Sequence, residues 1–155
     1  MRIIFLDIDG VLATNSTYGK GMNNKWNSYM FDPKCVAVLN FILQETGAEI
    51  ILSSDWRLTY SLQEMREIFA HNYVLKGPIG FTQDSYGYSE INLVGRADEI
   101  KMWLDLHSPN RDIKWVAIDD IDMSEKLAGN FVHCPNENDG IKGPKIKEKI
   151  LEILL

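Results

Sequence analysis

Asp7 and Asp9, two positions apart, close the first apolar run of the chain, and a second acidic pair, Asp119-Asp120, closes a later one. On an extended strand, residues two apart face the same side, so Asp7 and Asp9 bring two negative charges together. Carboxylates that close repel unless a proton or a cation lies between them. A hard, oxygen-only donor set of this kind suits Mg²⁺, which is usually held by one or two carboxylates plus water and substrate phosphate. Asp119 and Asp120 add the missing ligands from a different strand, and Gly10 lets the backbone turn sharply after the second acid. One acidic pair alone reads as a solvated strand end. Two pairs, each directly after a buried apolar run, concentrate negative charge at one sheet edge, and that charge needs a counter-ion.

The elements that must position these acids follow from the pattern of the chain. Ile3 to Ile8 is a nearly unbroken apolar run, as in a strand buried on both faces of a parallel sheet. A polar segment, Thr14 to Met30, reads as a long loop, and loops of that length are usually functional or mobile. Asp32-Pro33 opens a helix, with Asp32 as cap and Pro33 in the first turn. Val36, Leu39, Ile42 and Leu43 form its inner face and Gly47 stops it. Ala48 to Leu52 is a second buried strand, ending in Ser53-Ser54. Ser61 and Glu64 form a capping box for a helix through Leu62, Met65, Ile68 and Phe69, and Tyr73 to Leu75 reads as a short third strand. Gly77 to Gly95 reads as a second long loop. A helix from Arg96 to His107 follows, with Ile100, Trp103 and Leu104 on one side. Ile113 to Ile118 and Asn130 to His133 supply two more strands. Gly143-Pro144 starts a closing helix with Ile146, Ile150, Leu151 and Leu154 inward.

Alternating strands and helices imply an α/β fold, a Rossmann-like three-layer sandwich around a mainly parallel five-stranded sheet. Ligands of such sheets bind beyond the carboxyl ends of the strands, where the strand order reverses. Asp7 with Asp9, Ser53, and Asp119 with Asp120 all stand at strand ends, which locates the candidate site.

The length of 155 residues suits one domain spanning 1–155. A formal net charge of −6 argues against a broad basic face for nucleic acid. It leaves room for a small basic pocket around a single phosphate. Cys35 and Cys134 stand alone, outside any zinc-binding spacing. The first apolar run is too short for a signal-peptide core, and no stretch is long enough to span a bilayer. A reduced, cytoplasmic protein without a membrane partner is the expectation. His71, His107 and His133 are too scattered to suggest a metal site. Asp84, Asp122 and Asp139 lie in loops that could approach the acids, and Trp26, Tyr86 and Tyr88 could line a substrate entrance.

At these residues the chain resembles the haloacid dehalogenase (HAD) superfamily of phosphatases. Asp7-Ile8-Asp9-Gly10-Val11-Leu12 looks like its first motif, Ile50-Ile51-Leu52-Ser53 like its second, and Val116-Ala117-Ile118-Asp119-Asp120 like its fourth. The resemblance implies that Asp7 attacks phosphorus and forms an aspartyl-phosphate. Asp9 would protonate the leaving oxygen and then activate water. Asp7, the backbone carbonyl of Asp9 and Asp119 would bind Mg²⁺, with Asp120 assisting, and Ser53 would hydrogen-bond the phosphoryl oxygens. These roles agree with the chemistry. A carboxylate nucleophile splits hydrolysis into two easier steps, and its attack on a dianion requires charge neutralisation by a metal and a cationic side chain. As an acid, Asp9 would need a pKa above the ordinary value of about 3.9. The third-motif cation is a Lys, or sometimes an Arg, at the start of the helix before the fourth motif. Arg96 holds that place, and Lys101 is the reserve. Ser54, Gly10 and Arg57 would line the substrate, with Arg57 able to hold a second phosphate and Trp56 able to stack on a base.

Neither long loop has room for a cap domain with its own core, so a HAD-like domain without a separate cap is expected, with an open site. Leu52-Ser53-Ser54-Asp55-Trp56-Arg57 and Gly95-Arg96-Ala97-Asp98-Glu99-Ile100 are similar to a capless branch that includes HAD domains associated with RNA repair and polynucleotide phosphatases. That similarity implies a phosphorylated substrate, with a nucleotide or nucleic-acid end among the candidates. No obligate protein partner is evident in the sequence. The competing readings are a non-catalytic binding module on the same fold, and a phosphatase of a small metabolite or phosphoprotein. A phosphoacceptor receiver domain is a further alternative, but it would place an Asp where this chain has Ser53.

Overall fold

The computed structural model describes residues 1–83, 95–108, 110 and 112–155. The strands are β1 (Arg2–Leu6), β2 (Glu49–Leu52), β3 (Gly80–Phe81), β4 (Lys114–Asp119) and β5 (Phe131–His133). The helices are α1 (Pro33–Thr46), α2 (Leu62–His71), α3 (Arg96–His107) and α4 (Ile146–Leu154), and short 3-10 turns cover Asp55–Leu58 and Gly140–Lys142. The sheet runs β3-β2-β1-β4-β5 with every pairing parallel. This is the expected α/β, Rossmann-like architecture.

The alternation of side chains along each strand builds two cores. Ile4, Leu6, Ile50, Leu52, Val116 and Ile118 pack with α1, α2 and α4 on one face. Ile3, Phe5, Ile51 and Ala117 pack with Ala97, Ile100 and Trp103 of α3 on the other. Phe5 meets the edges of Trp103 and Trp115 there, at centroid distances of 5.4 and 5.8 Å. Being covered on both sides, β1 can be apolar throughout.

Local signals set the helix ends. Asp32 accepts from the Lys34 amide at 2.9 Å, and Gly47 ends α1 in the left-handed conformation. Ser61 and Glu64 form the expected reciprocal capping box on α2. The closing helix begins at Ile146 instead of Gly143-Pro144, because Lys145 takes a positive φ of 64° and interrupts the turn before it. Ile146, Ile150 and Leu154 point inward as expected, while Leu151 only flanks the core.

The third strand is not at Tyr73–Leu75. Those residues close α2: the Tyr73 amide bonds Ala70 O and the Val74 amide bonds Phe69 O, both at 3.0 Å, with Tyr73 at φ 63°. Amides committed to a helix stop of this kind cannot enter a ladder. The strand is Gly80–Phe81, inside the stretch expected to be loop, and it pairs with Ile51 and Leu52. Residues 84–94 of that stretch, with Asp84, Tyr86 and Tyr88, lie outside the described residues.

The chain passes from β1 outward to β2 and β3, then crosses to β4 and β5 on the other side. The strand order therefore reverses between β1 and β4, the position where sheets of this class open a crevice. Cys35 and Cys134 are buried free thiols. Among the described residues, no helix is long and apolar enough to cross a membrane.

Candidate active site

The parallel register carries straight into the site. Leu6 pairs with Leu52 and with Ile118. One step on, the Asp7 amide bonds Ile118 O at 3.1 Å and the Ser53 amide bonds Leu6 O at 3.0 Å. Asp7, Ser53 and Asp119 therefore stand side by side at the ends of β1, β2 and β4. They share the face of Phe5, Ile51 and Ala117, which is the face covered by α3.

Asp7 and Asp119 are buried, and Asp120 is half-buried. Carboxylate oxygens of the three lie within 4.8 Å of one another. The Asp9 carboxylate lies outside this group. The strand ends at Leu6, and the chain coils at once: the amides of Val11, Leu12 and Ala13 all turn back to Ile8 O. The strictly extended geometry that would align Asp7 and Asp9 is therefore lost. Asp9 turns to the open mouth, where it accepts a 2.9 Å hydrogen bond from Trp56 Nε1. Among the described residues, no donor reaches its backbone carbonyl.

Gly10 serves this turn. Its φ is 79°, and a Cβ there would lie 2.7 Å from Asp120 Oδ2 and 2.9 Å from Asp120 Cβ. Glycine at this position thus makes room for Asp120 beside the first motif.

Arg96 opens α3 and aims back into the acids. Its Nη1 lies 2.7 Å from Asp119 Oδ2 and 3.4 Å from Asp7 Oδ2, and its Nη2 lies 3.4 Å from Asp55 Oδ1. A cation in the first turn of a helix opposes the macrodipole, and here three carboxylates compensate it. Lys101, a turn and a half along α3, is exposed, and among the described residues no ion pair joins it to these acids.

Burial raises the Asp7 carboxyl well above its ordinary value, and the neighbouring Asp119 charge adds to this against the pull of Arg96. Asp119 is also raised by burial, opposed chiefly by Arg96. Asp9 is raised by partial desolvation, and the Trp56 hydrogen bond restrains the rise. Burial works against the Arg96 charge, but Asp7 and Asp119 outweigh it and hold the guanidinium protonated beyond its usual range.

The donor chemistry fits a hard divalent cation. Three carboxylates against one guanidinium leave two uncompensated negative charges, and every available ligand is oxygen. Asp7, Asp119 and Asp120 would hold such an ion, with the Asp9 carbonyl as a further oxygen.

The second-motif residues divide. The Ser53 hydroxyl has no hydrogen-bond partner among the described residues, while Ser54 Oγ caps the following 3-10 turn through the Trp56 amide. Arg57 does not face the opening as expected. Its side chain is 4% exposed, bonded to Glu99 Oε2 at 2.6 Å and to the carbonyls of Ser53 and Ser54. A guanidinium paired and turned inward in this way fastens the second motif to α3 and leaves little to offer a second phosphate. Trp56 is likewise 9% exposed, packed in the core with Phe31, so it presents its N–H to Asp9 and no free face to a base.

Two contributors were not expected: Trp56 as the partner of Asp9, and Asp55 as the third carboxylate on Arg96. The pairing of Trp56 with Asp9 joins residues 47 positions apart, and no local signal marks it. Trp26 packs on the core, with His71 5.1 Å from its ring, and does not line the mouth. Asp122 caps Ser124 on the surface.

Comparison with known proteins adds one match. The model of the family described as "HAD domain in Swiss Army Knife RNA repair proteins" matches residues 3–145. No curated protein and no solved structure matches the chain.

Proposed function

Because this chain belongs to the family of HAD domains in Swiss Army Knife RNA repair proteins, we propose that it is a divalent-metal-dependent phosphomonoesterase with Asp7 as nucleophile and Asp9 as acid and base. The fold and family are those of the HAD hydrolases. The observation that carries the finer reading is the division of labour at the mouth. One carboxylate is buried beside a guanidinium and two further acids, and a second is held apart from them by an indole N–H.

In this reading Asp7 Oδ attacks phosphorus as the bond to the leaving oxygen breaks, and Asp9 gives that oxygen a proton. Asp9, now ionised, takes a proton from water as the water attacks the phosphorus of the aspartyl-phosphate, which releases phosphate and restores Asp7. The raised pKa of Asp9 supports its first task. Trp56 fixes the direction of the carboxylate in both steps. Arg96 and the Ser53 hydroxyl bind the phosphoryl oxygens, and Arg57 positions the Ser53 backbone. A bound Mg²⁺ would neutralise the remaining charge on Asp7, Asp119 and Asp120 and polarise the phosphoryl group. A phosphorylated nucleotide or nucleic-acid end is the substrate class in keeping with the family.

The test is phosphate release from an aryl phosphate with and without Mg²⁺, using the native chain and Asp7→Asn. The proposal expects metal-dependent turnover that falls by at least about 1,000-fold in the variant, as for loss of a nucleophile. Turnover by Asp7→Asn at the native rate refutes it.

A further inference from the structure

Asp9 stands on the rim of a cleft of about 270 Å³ lined by Gly10, Thr14, Asn15, Tyr18, Tyr29 and Glu137. Tyr29 also borders a neighbouring cleft of about 280 Å³ with Asp55, Trp56 and Tyr60. Aromatic rings run across both: Tyr18 to Tyr29 at 4.9 Å, Tyr29 to Trp56 at 5.7 Å and Trp56 to Tyr60 at 5.9 Å. Trp56 and Tyr60 are anchored, the first by Asp9 and the second through its hydroxyl to Trp26 O at 2.8 Å. Tyr18, at 71% exposure, is the ring with an open face. The loop that carries it is tied down by Thr14 Oγ1 to Asp32 Oδ2 at 2.9 Å. No Lys or Arg lines either cleft among the described residues; the charged groups there are Asp9, Asp55, Asp120 and Glu137.

The oxygen that Asp9 protonates must lie against the Asp9 carboxylate, so the leaving group enters the cleft of Tyr18 and Tyr29. Its chemistry follows from the lining. The tyrosines call for a flat π-face, which gains from stacking whatever its ring pattern. Glu137 and Asn15 call for hydroxyl donors. A second phosphate held in the cleft would meet acids with no counter-charge.

A nucleoside meets all three conditions, whereas a sugar leaves the rings uncovered. We infer that the leaving group is a nucleoside whose base stacks on Tyr18, backed by Tyr29, with its sugar hydroxyls toward Glu137 and Asn15. This rests on the phosphatase reading above and names what that site acts on. A free mononucleotide and the terminal nucleotide of a strand share this chemistry.

The test compares kcat/KM for adenosine 5′- and 3′-monophosphate, ribose 5-phosphate, an aryl phosphate and a phosphorylated oligonucleotide, in the native chain, Tyr18→Ala and Tyr18→Phe. The better mononucleotide should exceed ribose 5-phosphate by roughly five-fold to 150-fold, the range of one base–aromatic stack. Tyr18→Ala should erase that preference without slowing ribose 5-phosphate, and Tyr18→Phe should keep it. Equal rates on nucleotide and ribose 5-phosphate, or an equal loss on both in Tyr18→Ala, would overturn the inference. Comparable rates on mononucleotide and oligonucleotide assign recognition to the base alone. A strongly preferred oligonucleotide whose rate falls steeply with salt would also overturn it, since that behaviour needs cationic phosphate contacts. If no substrate turns over, including the aryl phosphate, the phosphatase reading fails on its own. Calorimetric titration of adenosine into native chain and Tyr18→Ala then decides the base site: binding lost in the variant supports it, and no binding to the native chain rejects it.

Discussion

Replacing Gly10 with alanine probes how the first and fourth motifs share space. Two penalties arise. A non-glycine residue in the left-handed region, here φ 79°, costs about 1–2 kcal/mol. The new methyl would also lie 2.7 Å from Asp120 Oδ2 and 2.9 Å from Asp120 Cβ and Cγ. Because Cβ is fixed to the backbone, turning the Asp120 side chain cannot relieve the overlap, and forced shifts of this kind cost about 1–3 kcal/mol. The sum, roughly 2–5 kcal/mol, corresponds to a fall in Tm of about 10 °C for a chain of this size. Urea unfolding in chelator, where no ligand effect enters, separates the two penalties through a cycle of Gly10→Ala, Asp120→Gly and the double variant. Removing the Asp120 side chain should restore the steric part, a coupling of about 1–3 kcal/mol, and leave the backbone part. Additive effects within about 0.5 kcal/mol would show that Gly10 and Asp120 do not compete for space and would refute the reasoning.

Further expectations concern the acids and their supports. Asp7 and Asp119 are both raised above the ordinary carboxylate value of 3.8 by burial, and Asp7 further by the Asp119 charge. The metal-free native state therefore binds more protons than the unfolded chain above that pH, and its stability should fall as pH rises through this window. Thermal melts in chelator should show that decline, with a flatter profile for Asp7→Asn, and Mg²⁺ at 100 times its Kd should add about 2.7 kcal/mol. Trp56→Phe removes the hydrogen bond that restrains Asp9. Its pH–rate profile should keep the acid form of Asp9 to higher pH than the native chain, with kcat reduced about ten-fold or more by lost orientation. Glu99→Ala removes the carboxylate 2.6 Å from Arg57 and leaves it Asp55 at 3.6 Å with the carbonyls of Ser53 and Ser54, and urea unfolding should show a loss of about 1–3 kcal/mol.

The parts of the fold written in local code could be read directly. The apolar run of β1, the Asp32-Pro33 opening and Gly47 stop of α1, and the Ser61–Glu64 box each state their structure within a few residues. So did the acids at the ends of β1 and β4, because a charge directly after a doubly buried strand can only emerge at the sheet edge. The misplaced third strand shows the opposite case. Tyr73-Val74-Leu75 has strand-like residue types, but its amides were already required to finish α2. The real strand, two residues including a glycine, has too little pattern to announce itself. Arg57 and Trp56 illustrate a related point. Residue type leaves phosphate or base binding and core packing equally open for them, and it is Glu99 and Asp9, both distant in sequence, that turn them inward. That Arg96 lies beside carboxylates was legible because a cation at a helix start opposes the macrodipole and calls for acids nearby.

The most direct test of the central claim is to trap the phosphorylated protein. Asp9→Asn, which should slow release of phosphate from Asp7 more than its formation from an activated aryl phosphate, is mixed with substrate and Mg²⁺, quenched in acid and digested for mass spectrometry. A single acid-stable, base-labile phosphoryl group on the peptide bearing Asp7, absent when Mg²⁺ is chelated, is the predicted result. A phosphoryl group on any other residue would contradict the account, as would undiminished phosphate release by Asp7→Asn.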